Sequence, residues 1–422
     1  MSRIAVVGTG YVGLTTGACL ARLGHDVVCG DVDEDKVKEL NKGQIPIVEA
    51  GLEQLVQDGL KSGNLRFVVG AARAAEAAEF VYLCVPTPQG ADGSADLSYI
   101  QSAAREIAPV LDEGAIVVNK STVPVGSTKV VEAVLGRPDV AVVSNPEFLR
   151  EGSAVHDFMH PDRIVVGAED QAAAAKVTSL YLGVAAPFIV TDPASAETIK
   201  YAANAFLATK ISFVNAIAAV CEAVGADVAD VVLGIGSDKR IGHDFLKPGP
   251  GWGGSCFPKD SRALVRIAED GGYDFDLLRG VISVNDQQRA RILDKITRAC
   301  GGSLEGATIA VWGLTFKART DDLRDSPALA IVDELCQRGA LVRAFDPTVK
   351  AELRGMEICL DAYETCEGAD VIAVLTEWDD FRWIDPDRVA DLVSSRQVVD
   401  ARNLLERAAW QRAGFTYQGV GR

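Results

Sequence analysis

Apolar residues recur along the chain with two different periods, and the change of period divides it. Up to Gly167, short apolar runs alternate with amphipathic stretches. The runs Ile4–Val7, Asp26–Cys29, Phe80–Val85, Ile116–Asn119, Val140–Ser144 and Ile164–Gly167 read as buried parallel strands. Strand–helix alternation of this kind predicts a doubly wound sheet. From Ser195 to Val224 the rhythm becomes helical, with Ile199, Phe206, Val214, Ile217, Cys221 and Val224 on recurring faces. Ser195 is the expected N-cap and Gly225 the expected stop. A helix of that length runs about 40 Å at 1.5 Å per residue, long enough for a spine between domains. A further helical region extends to Cys300. After Gly301-Gly302 the α/β rhythm restarts with Thr308–Trp312, Leu341–Phe345, Val371–Leu375 and Gln397–Val399. Asp346 ends its strand as Asp31 ends the second strand of the chain, a weak repeat of architecture. The expected division is 1–194, 195–301 and 302–422, with the middle region supplying an apolar face for a homodimer.

Composition narrows the partners more than the fold. The 422 residues leave room for two or three domains, and 48% hydrophobic with 24% charged residues is ordinary for a soluble enzyme. A net charge of −17 argues against nucleic acid as the main partner. A local pocket on an acidic protein can still be positive enough for a small phosphorylated ligand. No apolar run is expected to reach the ~20 residues of a membrane helix, so no membrane partner is expected. The first strand begins at Arg3, and no signal or transit peptide is expected before it. Nine scattered cysteines without a C-x-x-C pair point to reduced, cytoplasmic thiols rather than a disulfide frame or a metal site. Cys19, Cys29 and Cys84 lie in apolar runs as core filler.

The first chemical signal is Gly8-Thr9-Gly10-Tyr11-Val12-Gly13, directly after a strand and opening a helix. Glycines there permit a tight turn and close approach of a pyrophosphate to the helix N-terminus. Asp31 ends the next strand, where a carboxylate accepts ribose hydroxyls and repels a 2′-phosphate, so the expected cofactor is NAD. Lys36 is placed to reach the adenosine side. A glycine-rich turn in a non-binding domain is the competing reading. The second signal is Gly249-Pro250-Gly251-Trp252-Gly253-Gly254-Ser255-Cys256-Phe257-Pro258-Lys259-Asp260. Four glycines make a loop that can wrap a ligand, and Pro258 marks the start of a helix reaching Glu269. Cys256 then lies at a helix N-terminus, where the dipole and Lys259 favour its thiolate. Asp260 is one turn on. Lys200 and Asn204, at i and i+4, share one helical face and suit an oxyanion, although a solvated lysine reads equally well from spacing. Thr122 in Ser121–Gly126 and Glu151 in Asn145–Gly152 follow strands, as ligand-holding residues do in open sheets, or else are turn chemistry and a surface acid.

These segments resemble the UDP-glucose/GDP-mannose dehydrogenase family. The resemblance is carried by GTGYVG at 8–13, STVPVG at 121–126, NPEFLREG at 145–152, PDRIVVG at 161–167, ETIKYAANAF at 197–206, GGSCFPKD at 253–260 and FKARTDDLRDSPAL at 316–329. Phe257 is nearer the UDP-glucose branch than the GDP-mannose branch, where Leu is frequent. The resemblance implies an α/β fold of two Rossmann-like doubly wound domains joined by a long central helix, with the active site in the cleft between them. It implies a four-electron oxidation of a UDP-sugar through a thiohemiacetal and a thioester on Cys256. Lys200 and Asn204 would hold the oxyanion, Asp260 and Thr122 a water, and Glu151 would serve as acid/base. Gly8, Gly10, Tyr11, Val12, Gly13, Asp31, Lys36, Thr87, Thr122, Glu151, Lys259 and Arg324 would contact the cofactor. Phe148, Leu149, Arg150, Glu151, Lys200 and Asn204 would line the sugar. Phe245, Leu246, Lys247, Pro248, Gly249 and Gly253 would clasp UDP, while Lys317 and Arg402 would meet the sugar or diphosphate. Arg240 would reach the neighbouring subunit's substrate. Val48 and Ala50 stand where the family often has Tyr and Pro, and Ala401 where Gly is common. Competing readings are GDP-mannose or a UDP-N-acetylhexosamine as substrate, a one-hydride alcohol dehydrogenase, and a silent nucleotide-sugar sensor. Intact Lys200, Asn204, Cys256 and Asp260 argue against the sensor.

Overall fold

The computed structural model describes residues 1–90 and 95–422. The chain forms two compact units, Met1–Ala203 with Arg262–Gly271, and Asn204–Ser261 with Gly272–Arg422.

The first unit carries β1 (Arg3–Val7), β2 (Asp26–Asp31), β3 (Leu65–Val69), β4 (Phe80–Leu83), β5 (Ile116–Asn119), β6 (Ala141–Ser144), β7 (Ile164–Gly167) and β8 (Phe188–Thr191). They form one sheet in the order β3-β2-β1-β4-β5-β6-β7-β8. Alternation along β1 explains the double winding. Ile4 and Val6 enter the core on one face of the sheet, and Ala5 and Val7 the core on the other. One expectation fails here: β7 is parallel to β8 but not to β6. It meets β6 antiparallel at Ser144↔Gly167. The Asn145 side chain takes over where a ladder would continue, donating Nδ2 to the Val165 carbonyl at 2.7 Å. β3 and β8 add to the strands read from sequence. β8 carries Phe188, Ile189 and Val190 at the exposed edge of the sheet.

The long helix spans Pro193–Val224, 32 residues. Its cap is Asp192, not Ser195. The Asp192 carboxylate accepts from the Ser195 N–H at 2.8 Å and the Ser195 hydroxyl at 2.6 Å, and Pro193 takes a first-turn position that needs no N–H. By length and mean hydropathy this helix suffices to cross a membrane, against the expectation that no stretch does.

The second unit carries β9 (Thr308–Trp312), β10 (Leu341–Phe345), β11 (Met356–Ile358), β12 (Val371–Val374), β13 (Gln397–Asp400) and β14 (Thr416–Gln418). All pair in parallel, in the order β11-β10-β9-β12-β13-β14. This is the strand order of β1 to β6 in the first unit, and the repeat extends to atoms. Gly8 donates its N–H to Gly30 O at 2.8 Å, and Gly313 to Phe345 O at 2.8 Å. Thr9 donates both N–H and hydroxyl to Asp31, and Thr315 donates both to Asp346. The two acids then diverge. Asp31 is partly exposed, whereas Asp346 is 2% exposed and also accepts from the Trp378 indole at 3.0 Å.

Candidate active site

In the first unit the glycine turn is shaped by two different demands. Gly8 has φ +95, and a Cβ there would stand 2.7 Å from Cys84 O. A Cβ on Gly13 would stand 1.9 Å from Gly8 O. The fold therefore excludes larger residues at both positions. Gly10 is different, with extended backbone (φ −70, ψ −170) and, among the described residues, no atom within 4 Å of a Cβ. None of the described residues requires glycine there, but a pyrophosphate seated on the helix Tyr11–Arg22 would. That helix opens without a side-chain cap, so its first N–H groups remain for an anion. Burial alone would raise the Asp31 carboxyl. Hydrogen bonds from the Thr9 hydroxyl and N–H, the Asp33 N–H and Lys36 outweigh it and hold the pKa at about 2. Asp31 is thus an anion throughout the working range, as discrimination against a 2′-phosphate needs. Lys36 Nζ lies 3.0 Å from Asp31, so the structure places it on that acid. These residues fit a dinucleotide.

The structure brings Thr87 and Thr122 together, the Thr87 hydroxyl donating to Thr122 O at 2.8 Å. Tyr11 stays protonated, its phenol held well above its ordinary value by burial and then by Glu49. Lys200 is a buried cation, not a solvated one. Its ammonium lies 2.9 Å from the Glu147 carboxylate, both side chains being almost fully enclosed, and 5.5 Å from the Phe148 ring centroid. Arg163 stacks on the same ring at 3.6 Å. Glu147 also accepts from the Leu149 N–H, which shapes the segment leading to Glu151. Arg150 is committed to Asp157 at 2.6 Å.

In the second unit, Cys256 stands one residue before the helix Phe257–Asp270. Its carbonyl accepts the Asp260 N–H at 2.9 Å, which makes it the N-cap residue. The thiol is partly exposed, with the Ser255 hydroxyl 3.6 Å from Sγ. The helix dipole there favours a thiolate. Asp260 is buried. Its Oδ2 accepts from Asn204 Nδ2 at 2.6 Å, and the Lys259 ammonium lies 2.9 Å from Oδ1. Oδ1 is a buried oxygen whose neighbour among the described residues is the Lys259 ammonium.

Sequence reasoning missed what holds this loop. Asn285 donates to the Trp252 carbonyl at 3.0 Å and accepts the Trp252 N–H at 2.8 Å. Gln288 donates to Gly249 O at 2.8 Å, and Asn215 accepts the Gly249 N–H at 2.9 Å. The Trp252 indole donates to Ser212 at 2.9 Å. A signal was available: Ser212/Asn215 and Asn285/Gln288 are polar pairs spaced i, i+3 on faces that helical periodicity buries. On its other side the loop admits no side chain. A Cβ on Gly253 would stand 2.0 Å from Asp325 O, and one on Gly254 2.7 Å from Phe316. Arg402 lies against Gly249 and is braced by Leu375 O at 2.8 Å, Phe316 O at 3.1 Å and Glu377 at 3.0 Å. Phe245 holds φ +61, a conformation that costs an aromatic residue about 1 kcal/mol or more. Leu246 is buried, so its backbone alone can face a ligand, and Lys247 is exposed. Lys317 lies 5.4 Å from the Phe316 ring centroid. Arg324 pairs with Asp322, and Arg240, almost fully exposed, pairs with Asp238. Among the described residues no cluster of metal-ligating side chains occurs.

Comparison with known proteins matches three family models in sequence. They are the NAD binding domain of the UDP-glucose/GDP-mannose dehydrogenase family at residues 2–185, its central domain at 194–287 and its UDP binding domain at 310–407. The UDP-glucose 6-dehydrogenase TuaD of Bacillus subtilis is 46% identical, over 100% of this chain and 94% of the relative. The solved UDP-glucose dehydrogenase of Pyrobaculum islandicum is 36% identical with a TM-score of 0.93, covering 100% of this chain and 98% of that one. A UDP-D-ManNAc dehydrogenase of Pyrococcus horikoshii is 30% identical with a TM-score of 0.90, covering 100% and 99%. Likeness of this extent, carried through every segment of the chain, makes the protein a member of the UDP-glucose/GDP-mannose dehydrogenase family.

Proposed function

We propose that the protein oxidises the C6 alcohol of UDP-glucose to a carboxylate at the expense of two NAD⁺, with Cys256 as covalent nucleophile. The observation that carries the reading is a partly exposed thiol at a helix N-terminus, one turn from a buried carboxylate, in a chain that matches UDP-glucose 6-dehydrogenases along its whole length. NAD⁺ supplies the hydride acceptor for both oxidations. Gly8, Gly10, Gly13 and Asp31 are the residues that would hold it.

The order of events follows from the chemistry of the carbon. Loss of a proton and a hydride converts the alcohol to an aldehyde, whose trigonal carbon has no hydride to give. Attack by the Cys256 thiolate makes it tetrahedral, and protonation gives a thiohemiacetal. Loss of a second proton and hydride gives a thioester, which water cleaves to carboxylate and free thiol. The sum is RCH₂OH + 2 NAD⁺ + H₂O → RCOO⁻ + 2 NADH + 3 H⁺. Lys200 and Asn204, one turn apart on the long helix, suit the oxyanion. Asp260, one turn from Cys256 and ion-paired with Lys259, suits the proton-accepting position. Thr122 and Glu151 are assigned to the water and to thioester hydrolysis.

A panel of nucleotide sugars with NAD⁺ tests the reading. The expected outcome is two NADH per UDP-glucose and a UDP-uronate product. One NADH per sugar, or a stronger preference for GDP-mannose or a UDP-N-acetylhexosamine, would overturn it. The nine cysteines are all free thiols, which suits work in a reducing cytoplasm.

The same reading includes a homodimer through the long helix. Phe206, Phe213 and Val220 recur every seven residues and Val224 follows one turn on, all exposed on one stripe. Ultracentrifugation of the intact protein is expected to give a dimer, and Phe206→Glu with Phe213→Glu a monomer. A monomeric parent, or an unaltered dimer in the double variant, would refute this interface.

A further inference from the structure

Glu49 has no place in the chemistry above, yet it is only 7% exposed and fully engaged. It sits in the loop before the helix Leu52–Ser62. Its Oε2 accepts the Gly152 N–H at 2.7 Å, and its Oε1 the Ala154 N–H at 2.8 Å. The third donor is the Tyr11 hydroxyl, from the first residue of the dinucleotide helix. Tyr11 also lies 3.1 Å from Arg150 O. The Glu49 carboxylate therefore fastens Tyr11 to the backbone just after Glu151, and Tyr11 itself reaches the carbonyl just before it, although 38 residues separate Glu49 from Tyr11 and 103 from Gly152.

The energetics favour a rigid joint. An ionised carboxylate only accepts hydrogen bonds, and three donors take up three of its about four acceptor sites. Charge-assisted bonds of this kind are about twice as strong as neutral ones, and losing the acceptor would leave buried N–H groups unpaired. Gly152 has φ +82, so the chain turns at the point where Glu49 grips it.

We propose that Glu49 is a positioning residue that couples cofactor binding to Glu151. Seating a dinucleotide on Gly10-Tyr11 fixes Tyr11, Tyr11 fixes Glu49, and Glu49 fixes the 150–154 backbone that carries the acid/base. The proposal rests on the NAD-dependent reading, and hydrogen exchange separates the two.

In the parent protein, NAD⁺ is expected to slow amide exchange in the 8–13 turn and in the 150–154 segment, the latter by about tenfold. Tyr11→Phe keeps the Glu49 cap on Gly152 and Ala154 but cuts the link. It is expected to leave NAD⁺ protection of 8–13 in place and to abolish that of 150–154. With UDP-glucose, its pre-steady-state NADH burst is expected to keep full amplitude while steady-state turnover falls about tenfold. A merely structural role would lower amplitude and turnover together. Glu49→Gln, which turns an amide N–H₂ toward buried donors, is expected to show the same loss of coupling. Retained NAD⁺ protection of 150–154 in Tyr11→Phe would overturn the proposal, as would its absence in a parent whose 8–13 turn is protected. Protection missing from both segments of the parent would sink the cofactor reading along with it.

Discussion

Cys256→Ala is expected to abolish acid formation, a loss on the order of 10⁴-fold or more, while NAD⁺ and UDP-glucose bind within about threefold of the parent. The expectation of intact binding comes from where the residue sits. The thiol is partly exposed, so truncation opens little internal space, and the helix start depends on the backbone carbonyl of residue 256, which alanine retains. The Trp252 and Gly249 backbone stays clamped by Asn285, Gln288 and Asn215. What disappears is the only proposed route from aldehyde to acid, so the variant is expected to release no more than one NADH per sugar. Chromatographic assay of the acid and calorimetric titration of both ligands decide it. Uronate made at more than a few per cent of the parental rate would mean that the thiol is not the nucleophile.

The second large effect separates the glycines of the dinucleotide turn. Gly10→Ala is expected to fold with a melting temperature within about 2 °C of the parent and to lose NAD⁺ affinity by about 30-fold, or ~2 kcal/mol. Among the described residues no atom opposes a methyl there, and its backbone angles suit any residue. Gly13→Ala is expected to do the opposite kind of damage. A methyl 1.9 Å from Gly8 O and 3.0 Å from the Cys84 side chain forces helix and strand apart, lowering the melting temperature by roughly 5 °C or more. Thermal melts with and without NAD⁺ distinguish the two. A Gly10→Ala protein that binds NAD⁺ like the parent would remove the reason for glycine at that position.

The strand–helix rhythm was legible because core strands on both sheets are unbroken apolar runs with helices on either face. β11 and β14, three residues each, gave periodicity no room to show. The reversed direction of β7 relative to β6 was not legible either, since a buried strand reads the same in both directions. At the site, the residues visible in sequence were those whose type is unusual for their place: glycines in a run, a cysteine ahead of Pro258, an acid ending β2. The residues that hold them show less plainly. Glu147 reads as a loop acid until it is found under Lys200, and Asn285 shows only as an amide on a buried helical face until it is found clasping Trp252. Their partners are distant in sequence, and periodicity reports only local neighbours. Lys36, Arg324 and Lys259, expected as cofactor contacts, each pair with an acid close in sequence, a partner that spacing alone does not reveal.

The matched pair Asp31 and Asp346 has a consequence for how one chain carries two nucleotides. Both acids are gripped by a threonine at the same point of the same strand order, yet Asp346 is buried and also accepts from the Trp378 indole, while Asp31 keeps an exposed edge. In the duplicated architecture the acid of the first unit is thus within reach of a ribose, and its counterpart in the second unit is spent on holding the fold. Ribose selection by a carboxylate at the end of a second strand then falls to Asp31, and removing the Asp346 carboxylate would be felt in the stability of the second unit rather than in the choice of cofactor.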